Sequence, residues 1–224
     1  GRADLGERDP LNFLLARQSR HRLEAEIVRD VALASSGLLN PKVGGPSIHP
    51  PLPEFIMAFG RNRSWPETKG TEGNRRGMYI HLRRNVPYPM LTTFDASDAS
   101  VACLQRERSN SPLQALTLLN DPAFVEAARL FAARLLGEPA VGDEGRLGRA
   151  FQLAVARAPR EAERGGLRTL LAAQREHYRG QPEEARKLLG VGFAPTPTGD
   201  AAEHAAWTQV ARVILNLQET ITRY

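Results

Sequence analysis

Apolar side chains recur at helical spacing over most of this chain and lose that spacing in its middle. Leu23, Ile27, Val31 and Ala34 follow one another at four, four and three residues, so they share one helical face, and Gly37 stands where a left-handed stop is needed. Ahead of them, Asp9-Pro10 reads as a cap followed by a proline at the first helical position, which predicts a short helix over residues 11–18. Residues 40–53 hold five of the sixteen prolines, so regular structure is not expected there. Periodicity stays absent over residues 60–77. The run Met78-Tyr79-Ile80-His81-Leu82 has the best strand character in the chain, and Val86-Pro87-Tyr88-Pro89 is extended because a residue before proline avoids the helical region.

Helical order returns at Ser111. Ser111, Pro112 and Gln114 spell a capping box with proline at the first position, and Leu113, Leu116 and Leu119 supply its expected buried stripe. Asp121-Pro122 repeats the device and starts a second helix carrying Phe124, Ala128, Phe131 and Leu135 on one face, ending near Gly137. Asp143 is expected to cap a helix with Leu147, Phe151, Ala154 and Val155. Pro159 is expected to begin another with Leu167, Leu170, Leu171 and Tyr178, weakened by Gly165-Gly166. A short amphipathic stretch at 182–189 and a loop at 190–199 precede a final helix, capped by Asp200, with Trp207, Val210, Ala211, Ile214 and Leu217 inside. The pattern therefore predicts a mainly α multi-helix domain with an irregular, loop-rich middle and at most a minor strand pair. One domain is expected over 1–224, in three stretches: N-terminal helices at 1–37, an irregular Pro- and Arg-rich segment at 38–109, and a helical bundle at 110–224.

Charge sharpens the contrast. The 30 basic residues exceed the 25 acidic ones by five, and Arg supplies all of the basic residues except Lys42, Lys69 and Lys187. Residues 1–60 are balanced, whereas four of the five excess charges fall between 61 and 109. No basic stripe accompanies a nucleic-acid module, so nucleic acid is not the expected partner. No apolar run approaches the length of a membrane span. The chain opens on Gly1 without a leader, and reads as a fragment or processed product whose targeting signal lies elsewhere.

Candidate chemistry is sparse. There is no GxSxG elbow, HExxH pair, phosphate-binding loop or GxGxxG turn, so no enzyme class is indicated and the expectation leans against catalysis. Cys103 is alone, which rules out an intrachain disulfide and a CxxCH haem attachment, and its apolar neighbours predict a small buried group. Five histidines are dispersed with no i, i+4 pair, so no metal site and no cofactor are expected in this fragment. His49 and His81 are the two whose surroundings invite a role. Asp95 and Asp98 could share a site, although that spacing more often makes turn and cap bonds. The most distinctive set is Arg75, Arg76, Arg83, Arg84, Arg106 and Arg108 around Tyr79, Tyr88 and Asp95. Guanidinium forks suit carboxylate, sulfate or phosphate, and the same forks can tie irregular backbone together. The candidate ligand site is thus Arg75, Arg76, Tyr79, Arg83, Arg84, Asp95, Arg106 and Arg108.

Several stretches together carry a family likeness: Arg75-Arg76-Gly77-Met78-Tyr79, Pro87-Tyr88-Pro89, Phe94-Asp95-Ala96, Arg108-Ser109-Asn110-Ser111-Pro112-Leu113-Gln114-Ala115-Leu116 and Leu119-Asn120-Asp121-Pro122. Arg22-Leu23-Glu24-Ala25-Glu26 with Arg29-Asp30, the Gly44-Gly45-Pro46-Ser47 turn and the ending Ile214-Leu215-Asn216-Leu217 extend it. The chain resembles the planctomycete surface-domain family, a C-terminal domain of unknown function in large exported proteins that often also carry planctomycete-type cytochrome c domains. The likeness is weakest over 138–206. It implies an exported bacterial protein, periplasmic or at the cell surface, whose haem sits in a separate domain. The function it implies is a non-catalytic accessory or interaction module of a cytochrome-c-associated protein, whose partners are the other domains of the parent. The alternative is part of an enzyme or binding site acting on an anionic polysaccharide through the 75–108 segment.

Overall fold

A computed structural model of the chain describes residues 4–16, 18, 20–52, 56, 65–84, 86–139 and 142–223. Among these the protein is mainly α-helical. Its strand content is a two-stranded antiparallel ladder, β1 (His21–Arg22) with β2 (Thr222–Arg223), which joins the two ends in the register His21 to Arg223. The longer helices are α1 (Ala25–Ser36), α2 (Pro112–Asn120), α3 (Pro122–Gly137), α4 (Gly142–Val155), α5 (Glu161–Gly180), α6 (Pro182–Leu189) and α7 (Ala201–Leu215). Helix α7 lies at the centre, packed on α3, α5 and α6, while α1 covers the other side of α3.

The second half follows its apolar code closely. Phe124, Ala128, Phe131 and Leu135 of α3 are buried against Trp207, Val210, Ala211 and Ile214 of α7, with Leu147 and Phe151 of α4 and Leu167 and Leu171 of α5 closing the core. Each large side chain fully buried in this way contributes roughly 1.5–3 kcal/mol. Gly165 and Gly166 do not interrupt α5, which runs straight through them. Its start is Glu161, two residues after Pro159, and the Glu163 carboxylate accepts the Arg160 amide at 2.7 Å. Asp143 lies inside the first turn of α4, where its carboxylate pairs with Arg175 at 2.6 Å instead of capping. Helix α7 ends at Leu215, leaving Leu217 just beyond it.

The first half departs more. Gly37 does end α1, at φ 80°, with the Leu38 amide donating to Leu33 O at 2.9 Å. The buried face of α1, however, is Ala25, Val28, Ala32 and Leu33, with Ile27 and Val31 half-buried and Ala34 exposed. The helix is turned because Arg29 and Asp30 face inward to bond the middle segment. The short helix expected over 11–18 is replaced among the described residues by turns. Asp9 accepts the Phe13 and Leu14 amides at 2.9 Å each, and Asn12 and Leu15 take positive φ, which a helix cannot absorb. One helical turn, Leu5–Arg8, precedes them. The strand expected at 78–82 is also absent: Gly77–Tyr79 is a 3-10 turn, followed by a parallel bridge from Ile80 to Ile48. Proline-rich chain at 40–52 lies against this segment through that bridge and a second, Asn40 to Arg75.

Candidate functional site

The arginines of the middle segment are anchored to main-chain oxygens and carboxylates. Arg75 is 0 % exposed, and its guanidinium donates to Pro46 O at 2.8 Å and to the oxygens of Gly44 and Lys42, while stacking 3.9 Å above the Tyr79 ring. The Tyr79 hydroxyl in turn accepts the Gly44 amide at 2.8 Å. Arg29 of α1, also buried, donates to Arg75 O at 2.7 Å and Gly73 O at 2.8 Å. Two guanidinium forks thereby satisfy carbonyls that a loop without ladder partners would leave bare. Burial pushes the Arg29 pKa down, opposed by the nearby Tyr88 and Asp30.

Arg76 reaches the Asp30 carboxylate at 3.4 Å, and the other oxygen of Asp30 accepts the Gly77 amide at 2.6 Å. A side chain at Gly77 would meet Glu26 O at 2.6 Å, so glycine is required for α1 to approach this closely. Arg83 lies 5.8 Å from the Trp65 ring, and Arg84 is exposed, with a 3.4 Å bond to Ser100 O. Arg106 grips both oxygens of Glu26, at 2.7 and 3.0 Å, and this pairing raises its own pKa. Arg108 is exposed beside the His21 ring at 3.3 Å.

Asp95 works as a loop pin. It sits at φ 62° and accepts the Ser109 amide at 2.7 Å, the Ser109 hydroxyl, and the Gln114 amide group. Asp98 bonds the amide and hydroxyl of Ser100, a local turn bond that holds its pKa down. The fold brings Asp95, Arg106 and Arg108 together around a cleft of about 10 Å³, room for roughly one water. Arg75 and Tyr79 meet each other elsewhere, and Arg76, Arg83 and Arg84 take separate partners.

Helix α2 reverses its expected orientation. Its capping box is formed, with Ser111 accepting the Gln114 amide and Gln114 accepting the Ser111 amide, both at 3.4 Å. Yet Gln114 is 1 % exposed, whereas Leu113 and Leu116 are 59 % and 53 % exposed. Gln114 is drawn inward because it accepts from Arg22 at 2.6 Å and donates to Thr93 O at 2.9 Å. Leu118 follows it inward one turn later, Leu113 and Leu116 point outward, and Leu119, the third residue of the expected stripe, is half-buried. Cys103, expected in a buried patch, is exposed together with Val101 and Leu104. Leu11, Phe13, Leu14 and Leu15 add further exposed apolar surface.

Sequence reasoning missed a cleft of about 640 Å³ at the start of α5, lined by Arg20, Arg157, Arg160, Glu163 and Glu219. Arg157 bonds Glu163 at 2.7 Å and Glu219 at 2.6 Å, and its side chain lies 5.3 Å from the Phe151 ring. Hydrogen bonds from Arg157 hold the Glu163 carboxyl down at about 2, so this carboxylate is a fixed anion at neutral pH and not a proton donor. An apolar trough of about 230 Å³ shares Glu163 and Leu217 with it. The one signal for this cleft in the sequence is Glu163 at the third position after Arg160.

These features define a mainly α-helical domain whose irregular middle is pinned by arginines and whose α2 face is apolar and outward. Residues 1–171 match the model of the family described as PSD1, protein of unknown function (DUF1553), and the chain belongs to that family. No curated protein and no solved structure matches the chain. Among the described residues no helix is long and apolar enough to cross a membrane.

Proposed function

We propose that this domain is a non-catalytic interaction module of a larger exported bacterial protein, docking against its cytochrome-c-type domains. The observation that carries this reading is the inverted α2 helix. A helix that buries glutamine and turns Leu113 and Leu116 to solvent leaves apolar surface uncovered, and clustered exposure of large apolar groups marks contact surfaces. The Ser-Pro-Leu-Gln-Ala-Leu motif supports it, since one short stretch supplies both the internal anchor, Gln114, and the outward pair. The planctomycete and cytochrome c context comes from the family resemblance. Arg75, Arg76 and Arg106 are engaged with the protein's own oxygens, which favours a structural role for the middle segment over an anionic polysaccharide site.

The test uses the purified domain, immobilised and offered to the exported fraction of a producing bacterium. The module reading expects retention of a haem-bearing polypeptide, read by its Soret absorbance, and its loss with Leu113→Glu/Leu116→Glu. Equal retention by both forms, or none by the native domain, rejects it.

A further inference from the structure

His49 and His81 are far apart in sequence and side by side in the fold. The parallel bridge between Ile48 and Ile80 aligns the two residues that follow, with the His81 amide donating to Ile48 O at 2.8 Å and the His49 amide to the Thr68 hydroxyl at 3.0 Å. The ring centroids lie 4.7 Å apart at an interplanar angle of 31°, and Trp65 backs the His49 ring edge-on at 4.9 Å. Both histidines are half-buried. The other three are engaged: His21 beside Arg108, His177 on Glu184 at 2.9 Å, and His204 on Arg129 O at 2.9 Å. Among the described residues, the ring nitrogens of His49 and His81 have no hydrogen-bond partner.

Imidazoles bind borderline divalent metals at about 2.0–2.1 Å, which puts each ring centroid about 3.2 Å from the ion, and two ligands about 90–110° apart then have centroids about 4.5–5.2 Å apart. The observed 4.7 Å falls in that interval. Among the described residues, the charged group facing the pair is Arg83, beside Trp65. Among the described residues no third His, Cys, Asp or Glu joins the pair, so solvent would complete the coordination and the site suits an exchangeable ion.

We infer that His49 and His81 form a two-imidazole site for a borderline divalent metal, binding Cu²⁺ most strongly and Zn²⁺ less so. Copper stands highest in the order of divalent affinities for nitrogen ligands, and it tolerates two protein ligands with water in the remaining positions. The experiment titrates Cu²⁺ into the full chain and into His49→Gln, His81→Gln and His177→Gln, with calorimetry for affinity and paramagnetic resonance for the number of bound nitrogens. The expected result is one site with two equivalent imidazole nitrogens, weakened roughly tenfold or more by either His49→Gln or His81→Gln and unaffected by His177→Gln. A one-nitrogen spectrum from the native chain, or unchanged affinity in either of the two variants, overturns the assignment. The spectrum of the native chain decides the matter even where a variant folds poorly. The result is independent of the docking reading above.

Discussion

The described part of the middle segment shares the apolar core of the helical half, through Ile48, Leu52, Trp65, Ile80, Tyr88, Met90 and Phe94, and differs from it in adding arginine-to-carbonyl bonds to that packing. Between 110 and 221 the core is Phe131, Phe151, Trp207 and their neighbours, and what matters is apolar volume. Among the described residues between 38 and 109 two parallel bridges are the regular pairing, and Arg29 and Arg75 supply the carbonyl partners that strands would otherwise provide. The same device recurs in the helical half. Arg129, 0 % exposed on α3, donates to Ala194 O and Pro195 O at 2.8 Å each, while Glu126 accepts the Phe193 and Ala194 amides. Gly192, at φ 92°, passes so near Glu126 that an added side chain would come within 2.3 Å of it. Buried arginine in this protein therefore marks a place where a loop without its own ladder has to be held.

The comparison can be broken most forcefully by substituting its two anchors. Phe131→Ala should cost about 3–5 kcal/mol, and Phe131→Leu should recover much of that because volume is the requirement. Arg75→Ala should cost a similar amount, at about 1–3 kcal/mol for each buried carbonyl left unpaired. Arg75→Lys should recover little, because an ammonium cannot reproduce the fork or the stacking on Tyr79. Urea unfolding of the four variants measures this, and full rescue by Arg75→Lys would contradict the distinction.

Smaller effects sharpen it. Ser111→Ala should cost about 1 kcal/mol in thermal unfolding, the usual value of a helix cap, because the box holds α2 in its inverted setting. For Glu163 the prediction is a pH dependence. Its folded pKa is depressed from 4.5 to about 2 by Arg157, so its contribution is present above pH 4.5 and is lost as pH falls toward 2. The stability gap between native protein and Glu163→Gln should close over that interval, and a gap that widens on acidification would be contrary. Leu113→Glu and Leu116→Glu should change stability least, within about 0.5 kcal/mol, since both side chains are mainly exposed.

What was legible in the sequence follows the same division. Helices that bury an apolar stripe, α3 and α7, were readable from spacing, and the caps at Ser111, Asp121 and Asp200 were readable from residue type. The orientation of α2 was not, because Gln114 is drawn inward by Arg22 and Thr93, which are distant in sequence. The turn of α1 was hidden for the same reason, through Arg29 and Asp30. Arginine reads as surface charge until its carbonyl partners are known, and the His49 and His81 pairing arises from a bridge between two segments with no periodicity of their own.

The central claim is that Arg75 orders the middle segment from within. Its most direct test is amide hydrogen exchange in Arg75→Lys, with retention on a sulfated matrix measured alongside. The account predicts exchange at least about tenfold faster across residues 40–52 and 70–80, equivalent to a loss of about 1.4 kcal/mol of local stability, with α3 unchanged and retention unaltered. Native protection throughout the middle segment, together with loss of retention, would contradict it and return the arginines to a role in binding an anion.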